Sequence, residues 1–373
     1  MKILYILHTT DNDGSTISFI NMVKGLREKG LDFAVIIPAE NPSFEKRISD
    51  IGGRCIVSQI IQSVYTPIPN KIKQMWIVIK LALLKFGSFY RMCKIAKKEA
   101  PDIIHTNSGV VQEGFSCALY NGIPHVWHIR EYQDIDFGLH PYPSKKLYSM
   151  LLRKSYVASI TKNLLNHFGL AEDFRHRVIY NGILYKNNIH NIFPKEKFFL
   201  CASRVSPEKG LENVIECFAK IHSEYKTYKL VICGFGDETY VAALKQYCIQ
   251  QKCLDSVEFV GFTNDIQSYM STAKALIVGS YNEGFGRMTA EAAFCGCLVI
   301  GRNTGGTKEI MDNTGGFPFL TKEELLAQMR KLVLMNDSEY KMLVNKSQKK
   351  AVQSYSIEDN IDAMYKFYCD IVN

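Results

Sequence analysis

The stretch NEGFGRMTAEAAFCGC, residues 282–297, sets Glu283 and Glu291 eight positions apart around a Gly-Phe-Gly turn and then runs into small, apolar residues. The preceding ALIVGS reads as a strand and RMTAEAAFC as a helix, with Gly296 placed as its stop. The glycines let the backbone turn sharply and approach a ligand closely. The amides around Gly286, Arg287 and Met288 then form a helix N-terminus, which attracts an anion. Glu283 precedes the turn and Glu291 lies about one helical turn inside, so both carboxylates can face one ligand. Carboxylates are poor partners for phosphate and good acceptors for sugar hydroxyls. The pattern therefore suits a phosphate centre with hydroxyls on both sides, as in a nucleotide sugar; the plain alternative is a glycine turn with two solvated glutamates.

A second cluster, SRVSPEKG (203–210), carries Arg204 and Lys209 around Ser206-Pro207. Two cations on one strand-end loop can clamp a diphosphate and stabilise the charge that develops as it leaves, without a metal. Without such a ligand it is an ordinary basic surface loop. VICGFGD places Gly234 and Gly236 after a strand, but Thr239 stands where the third glycine of a dinucleotide-binding G-x-G-x-x-G belongs. DNDGSTISF puts Gly14 and Ser15 after the first strand, and HVWHIRE ends a strand with His128 and Arg130. Asp11 with Asp13, and Asp134 with Asp136, form Asp-x-Asp pairs, which hold the ion in metal-dependent sugar transferases of another architecture. The tandem layout described next argues against that use here, and no metal is expected.

Short apolar runs alternate with longer helical patterns almost throughout, the signature of parallel sheets with crossover helices. KILYILHT, DFAVIIP, CIVSQI, DIIHTN, PHVWHI, YVASIT and HRVIYNG supply the strands of the first half. KFFLCASRV, YKLVICGFG, VEFVGF, ALIVGS and LVIGRN supply those of the second. At 373 residues the chain exceeds the usual size of one core. Two doubly wound α/β domains are expected, at 1–182 and 197–355, joined by an aperiodic linker at 183–196 that contains Pro194 and followed by a last helix at 356–373. Ligands of such sheets sit outside the carboxyl ends of the strands, so two of them are expected to face a central cleft.

With 47% hydrophobic and 22% charged residues the composition is that of a soluble globular protein. The apolar run of MKILYILHTTDNDG is followed by acidic residues where a small-residue cleavage site would stand, so it reads as a strand and not as a secretory signal. The 11 cysteines are odd in number, scattered and without a C-x-x-C pair, which points to reduced, buried thiols in a cytoplasmic protein and to no structural metal.

Residues 1–180 carry 23 Lys and Arg against 15 Asp and Glu, while the remainder carries 22 of each, so the net charge of +8 belongs to the first half. Within it, KIKQMWIVIKLALLKFGSFYRMCKIAKK (71–98) interleaves eight cations with aliphatic and aromatic residues and contains no acid. It is too short in its apolar stretch and too charged to span a bilayer. A basic amphipathic segment on an anionic membrane surface is one reading, and a core helix with a solvated basic face is the other. No nucleic-acid-binding motif accompanies the charge.

SRVSPEKG, NEGFGRMTAEA and NTGGTKEI together resemble the retaining GT-B glycosyltransferases of family 4, whose hallmark is two glutamates separated by seven residues. YNG (180–182) and HVWHIRE extend the resemblance over nearly the whole chain. It implies that Glu291 binds the ribose hydroxyls, Glu283 the donor sugar, and Arg204 and Lys209 the diphosphate, helped by the backbone of Phe285 and Gly286, with Arg287 also among the donor-binding residues. It implies His128 beside the reacting sugar, the base packed against backbone around Phe262 and not read by a distinctive side chain, and Gly14, Ser15 and Gly234 in the donor-binding loops. The last helix is implied to cross back onto the first domain. Asp13-Gly14-Ser15 stands where many members have adjacent glycines, and Leu184 where an aspartate is common.

The implied reaction moves a sugar from a UDP- or GDP-linked donor, with no further cofactor, to an acceptor hydroxyl with retention of configuration. The acceptor implied is lipid-linked, in bacterial surface polysaccharide assembly at the inner face of the cell membrane. The alternatives are a catalytically silent subunit and a nucleotide-sugar epimerase of the same fold; a phosphorylase would need a cofactor lysine and a longer chain.

Overall fold

A computed structural model describes residues 1–11, 13–189 and 192–373. The chain divides into two units, Met1–Gly182 together with Ile357–Asn373, and Ile183–Ser356.

In the first unit the strands are β1 (Lys2–Ile6), β2 (Asp32–Ile37), β3 (Arg54–Val57), β4 (Val64–Tyr65), β5 (Ile103–Thr106), β6 (His125–Ile129), β7 (His140–Pro141), β8 (Tyr156–Ser159) and β9 (His176–Val178). Seven of them form a parallel sheet in the order β3-β2-β1-β5-β6-β8-β9. Its central strands are buried along almost their whole length, as expected when helices cover both faces, and so they read as unbroken apolar runs. Leu4, Ile6, Ile36 and Ile104 pack there with Met92 and Ala96 of the helix Lys71–Glu99. The antiparallel pair of β4 and β7 is two residues per strand, too short to leave a periodic signal.

The helix Ile357–Val372 completes this unit. Gly25 makes room for it: a β-carbon there would lie 2.0 Å from Cδ1 of Ile361. The Tyr368 hydroxyl sits 2.7 Å from Nδ1 of His105 and 3.2 Å from the Tyr5 hydroxyl, all buried.

The second unit contains β10 (Phe198–Ala202), β11 (Lys229–Cys233), β12 (Val257–Gly261), β13 (Ala275–Val278), β14 (Leu298–Arg302) and β15 (Phe317–Phe319). They form a parallel sheet in the order β12-β11-β10-β13-β14-β15. β15 is a three-residue edge strand containing Pro318, which an edge position tolerates and which hides the strand from sequence reading. Phe199, Phe218, Leu230, Ile277 and Ile300 centre its core. The segment after Gly182 is fastened into this unit, with the Ile183 amide donating to the Tyr355 carbonyl at 2.9 Å and Leu184 bridged to Ser356. Positions 190 and 191 of the expected linker lie outside the described residues.

In both sheets the strand order reverses once, between β1 and β5 and between β10 and β13. The loops leaving the carboxyl ends of strands at such a reversal part to opposite sides and open a crevice for a ligand. In the second unit those two loops are 203–210 and 279–286.

Candidate functional site

Loop 203–210 enters a single 3-10 turn, Pro207–Lys209, and ends on Gly210 at φ +64°. Gly210 lies directly against Gly279 of the neighbouring loop: a β-carbon on Gly210 would stand 2.7 Å from the Gly279 carbonyl, and one on Gly279 2.8 Å from that of Lys209. The two loops therefore meet backbone to backbone. That contact brings the Lys209 ammonium to 2.7 Å from Oε1 of Glu283, with both side chains mostly withdrawn from solvent.

Arg204 has a different partner. Its side chain is 72% exposed and donates to Glu208 at 2.9 Å. The Ser206 hydroxyl donates to the same carboxylate oxygen at 2.7 Å and, with backbone and Arg204 contacts, holds the Glu208 carboxyl below the usual carboxylate range.

The second loop closes on Gly286, at φ +85°, which begins the helix Arg287–Phe294. A shelf supports this turn from the helix Gly305–Thr314. The Gly306 amide donates to the Glu283 carbonyl at 2.7 Å, and the Thr304 hydroxyl to the Tyr281 carbonyl at 2.9 Å. Only glycine fits at 306, where a β-carbon would fall 2.1 Å from the Phe285 carbonyl oxygen. The Thr307 hydroxyl is buried beside Gly286 with no hydrogen-bond partner among the described residues. A buried hydroxyl of this kind is free to donate to a group bound at the turn, and sequence spacing does not reveal it. Glu291 is buried one helical turn in, accepting from Nε2 of Gln267 at 3.4 Å and lying 3.6 Å from Nε of Arg287.

Gly234 follows β11 at φ +143°, where a β-carbon would fall 1.8 Å from the Ser203 carbonyl, so the β11 loop hugs the β10 loop. Phe262, after β12, is exposed, and its ring stacks on that of Phe235 with centroids 5.1 Å apart and planes 6° from parallel. The resemblance implies only backbone around Phe262, and Phe235, the intervening residue of a G-x-G, carries no sequence signal of its own.

In the first unit His128 is the penultimate residue of β6. It is buried edge-to-face against His105, with Nη1 of Arg130 3.5 Å from its Nε2. Burial foremost, then the Arg130 charge and His105, hold the imidazole well below its ordinary range, so it is neutral. Gly14 opens the helix Gly14–Glu28, but the Asp13 carboxylate caps it, accepting from the amides of Ser15 and Thr16 at 2.9 Å and from the Ser15 hydroxyl at 2.8 Å. An anion approaching Ser15 in this arrangement meets a carboxylate already in place.

The Asp-x-Asp pair at 134–136 is engaged elsewhere. Asp134 pairs with Lys145 and His167 at 2.7 and 2.8 Å, and Asp136 accepts from the Tyr132 amide. Among the described residues no three His, Cys, Asp or Glu side chains gather as a metal cluster.

The family model Glycosyltransferase Family 4 matches residues 12–184, and the model Glycosyl transferases group 1 matches residues 185–350. The two run edge to edge over nearly the whole chain. The chain belongs to the GT-B glycosyltransferases of the family 4 type.

This glycosyltransferase is 28% identical to an uncharacterized glycosyltransferase of Methanocaldococcus jannaschii, over 60% of this chain and 63% of that one. It thus spans just under two thirds of that relative. It is 24% identical to a 42.6 kDa protein in the cps region of Klebsiella pneumoniae, over 88% of this chain and 91% of the other. Among solved structures, Anabaena HepE in complex with UDP matches with a TM-score of 0.79 at 18% identity, covering 98% of this chain and 99% of HepE. HepE has also been solved with UDP-glucose. At that identity the likeness establishes a common fold of two Rossmann-like α/β domains.

Proposed function

We propose that this glycosyltransferase transfers a sugar, with retention and without a metal, from a nucleoside-diphosphate sugar to an acceptor hydroxyl. The observation that carries the reading is the convergence of Lys209, Glu283 and the glycine turn at Gly286 on the reversal point of one sheet. The complexes of HepE with UDP and UDP-glucose support the donor class.

On this reading Lys209 binds the diphosphate and stabilises the negative charge it gains as the glycosidic bond breaks. The amides at the start of the helix Arg287–Phe294 and the Thr307 hydroxyl add donors to the same phosphate. Glu283, released from Lys209, accepts from the donor sugar's hydroxyls, and Glu291 from those of the ribose. Arg204 reaches the diphosphate by exchanging Glu208 for it. His128 is a neutral hydrogen-bonding partner of the sugar and not a cation. The acceptor enters on the face from which the diphosphate departs and loses its proton to a phosphate oxygen, so no side-chain base is assigned and catalysis is positioning and charge stabilisation.

The acceptor is read as lipid-linked, in surface polysaccharide assembly at the cytoplasmic face of the membrane. The basic segment 71–98 and the likeness to a cps-region protein support this. The deciding experiment follows nucleoside diphosphate release from a panel of UDP- and GDP-sugars with EDTA present, comparing wild type with Lys209→Ala. Release from one donor that persists in EDTA and is lost in the variant supports the reading. Release abolished by EDTA refutes the metal-free part. Silence that persists after lipid-linked acceptors are added favours a non-catalytic subunit.

A further inference from the structure

We propose that the helix Lys71–Glu99 is a bilayer-docking element, which lays an apolar stripe among the headgroups of an anionic membrane. This deepens the lipid-linked acceptor reading and rests on it for its purpose, though docking is measurable without turnover.

The helix is held in two different ways along its length. From Ser88 onward it is anchored, with Ser88, Met92, Cys93, Ala96 and Glu99 buried, whereas none of residues 71–87 is buried. Ile72, Trp76, Ile79, Leu83 and Phe86 on the free part, and Tyr90 beyond it, succeed one another at spacings of four, three, four, three and four. At 100° per residue they fall within a sector of roughly 80°, forming one stripe about 27 Å long. Each is exposed, Leu83 and Phe86 by 73% and Trp76 by 63%. Lys73, Lys80, Arg91 and Lys98 line one flank, at spacings of seven, eleven and seven.

The stripe is kept outward from behind. Lys85, on the opposite face, donates to the Ser63 hydroxyl at 2.7 Å and to Oε1 of Gln112 at 3.2 Å, and lies over the Tyr142 ring. The Ser88 hydroxyl donates to the Gln59 carbonyl at 2.9 Å. Gln112 belongs to the segment leaving β5, so the helix is fastened at the ligand-binding end of its sheet.

Charge decides the occupant. The four-three spacing also fits the seam of a coiled coil, but there the flanking positions carry paired opposite charges. Here every charged residue from 71 to 98 is Lys or Arg, so a second copy would set like charges against each other. Cations beside an aromatic and aliphatic stripe match an anionic lipid surface, with the aromatic rings at headgroup depth. No helix among the described residues is long and apolar enough to cross a membrane, so the fit is to lying in the surface.

The test uses the purified full chain with vesicles of phosphatidylcholine alone and of phosphatidylcholine mixed with phosphatidylglycerol. The chain has two tryptophans, and Trp127 is fully buried, so a blue shift of emission on adding vesicles reports Trp76. Co-sedimentation and the blue shift are expected with the anionic vesicles and are expected to weaken in high salt. Leu83→Glu combined with Phe86→Glu should lower partition by about tenfold or more, since two large apolar side chains leave the interface, while nucleotide affinity stays unchanged. Equal partition of variant and wild type, or no shift of Trp76, overturns the proposal. A wild-type dimer that the same double variant splits also overturns it, and assigns the stripe to a second copy. A chain that docks but never turns over a donor would sink the transferase reading and leave this one standing.

Discussion

Lys209 and Glu283 stand 74 positions apart in the chain, yet their charged atoms meet at 2.7 Å. They come from the two loops that flank the strand reversal of the second unit, held together by the mutual approach of Gly210 and Gly279. The pair keeps a cation and a carboxylate side by side and partly desolvated; on the proposed reading a diphosphate takes the one and sugar hydroxyls the other.

Lys209→Ala should therefore reduce turnover by about 10²–10³ in kcat, the usual effect of removing one stabilising charge from a developing anion. Glu283→Gln keeps the shape and removes the acceptor charge, and its loss should be visible as poorer discrimination among donor sugars. Nucleoside diphosphate release measures both. Undiminished release by Lys209→Ala would remove that residue from the mechanism.

Glu291→Ala should weaken UDP or GDP binding by about 10- to 100-fold, the range for a charged hydrogen-bond acceptor. Because Glu291 is buried beside Gln267 and Arg287, a circular-dichroism melt of the variant must accompany the calorimetry. A folded variant with native affinity contradicts the ribose role.

Phe235 and Phe262 present two large exposed rings, nearly parallel, at the ligand end of β11 and β12. Stacking of a base on such a platform contributes about 1–3 kcal/mol. Phe262→Ala should lower nucleotide affinity by about fivefold or more, Phe235→Ala should do much the same, and the double variant should fall short of the product. Inhibition by pyrophosphate, which has no base, should be unmoved in all three. Equal losses for nucleotide and pyrophosphate would mean the rings shape the loop and do not read the base.

Three buried histidines make stability sensitive to acid. Burial pushes His105 down to about 3 and holds His125 and His128 well below their ordinary value of 6.5. The unfolded chain takes up protons near pH 6.5 that the folded chain refuses, so their contribution to stability is present above that pH and is lost as pH falls below it. The loss approaches about 1.4 kcal/mol per pH unit for each histidine. Chemical denaturation between pH 7 and 5 should show this decline, and His128→Asn should make it shallower. A slope unchanged by the substitution would mean that His128 titrates alike in both states.

The sheets were legible because a parallel strand covered on both faces must be apolar along its length. The short pairs β4 and β7 and the proline-bearing β15 escaped because two or three residues carry no period. In the site, Glu283, Glu291 and Lys209 stood out because a charge beside a glycine turn has few structural uses. Gln267, Thr307 and Phe235 did not, since each is an ordinary residue made significant only by what the fold sets beside it. Asp13 was visible as a turn residue, but its hold on the amides of Ser15 and Thr16 depends on a side-chain direction that spacing does not reveal.

The helix Ile357–Val372 belongs to the first unit although the whole second unit precedes it in the chain. Tyr368 and Ile361 fill places against His105, Tyr5 and Gly25 that earlier residues leave for them. A ribosome delivers these partners only after the second unit. The half of the protein made first must wait, with His105 and its neighbours uncovered, while the half made second closes its own core, so the order of completion during synthesis is the reverse of the order of translation.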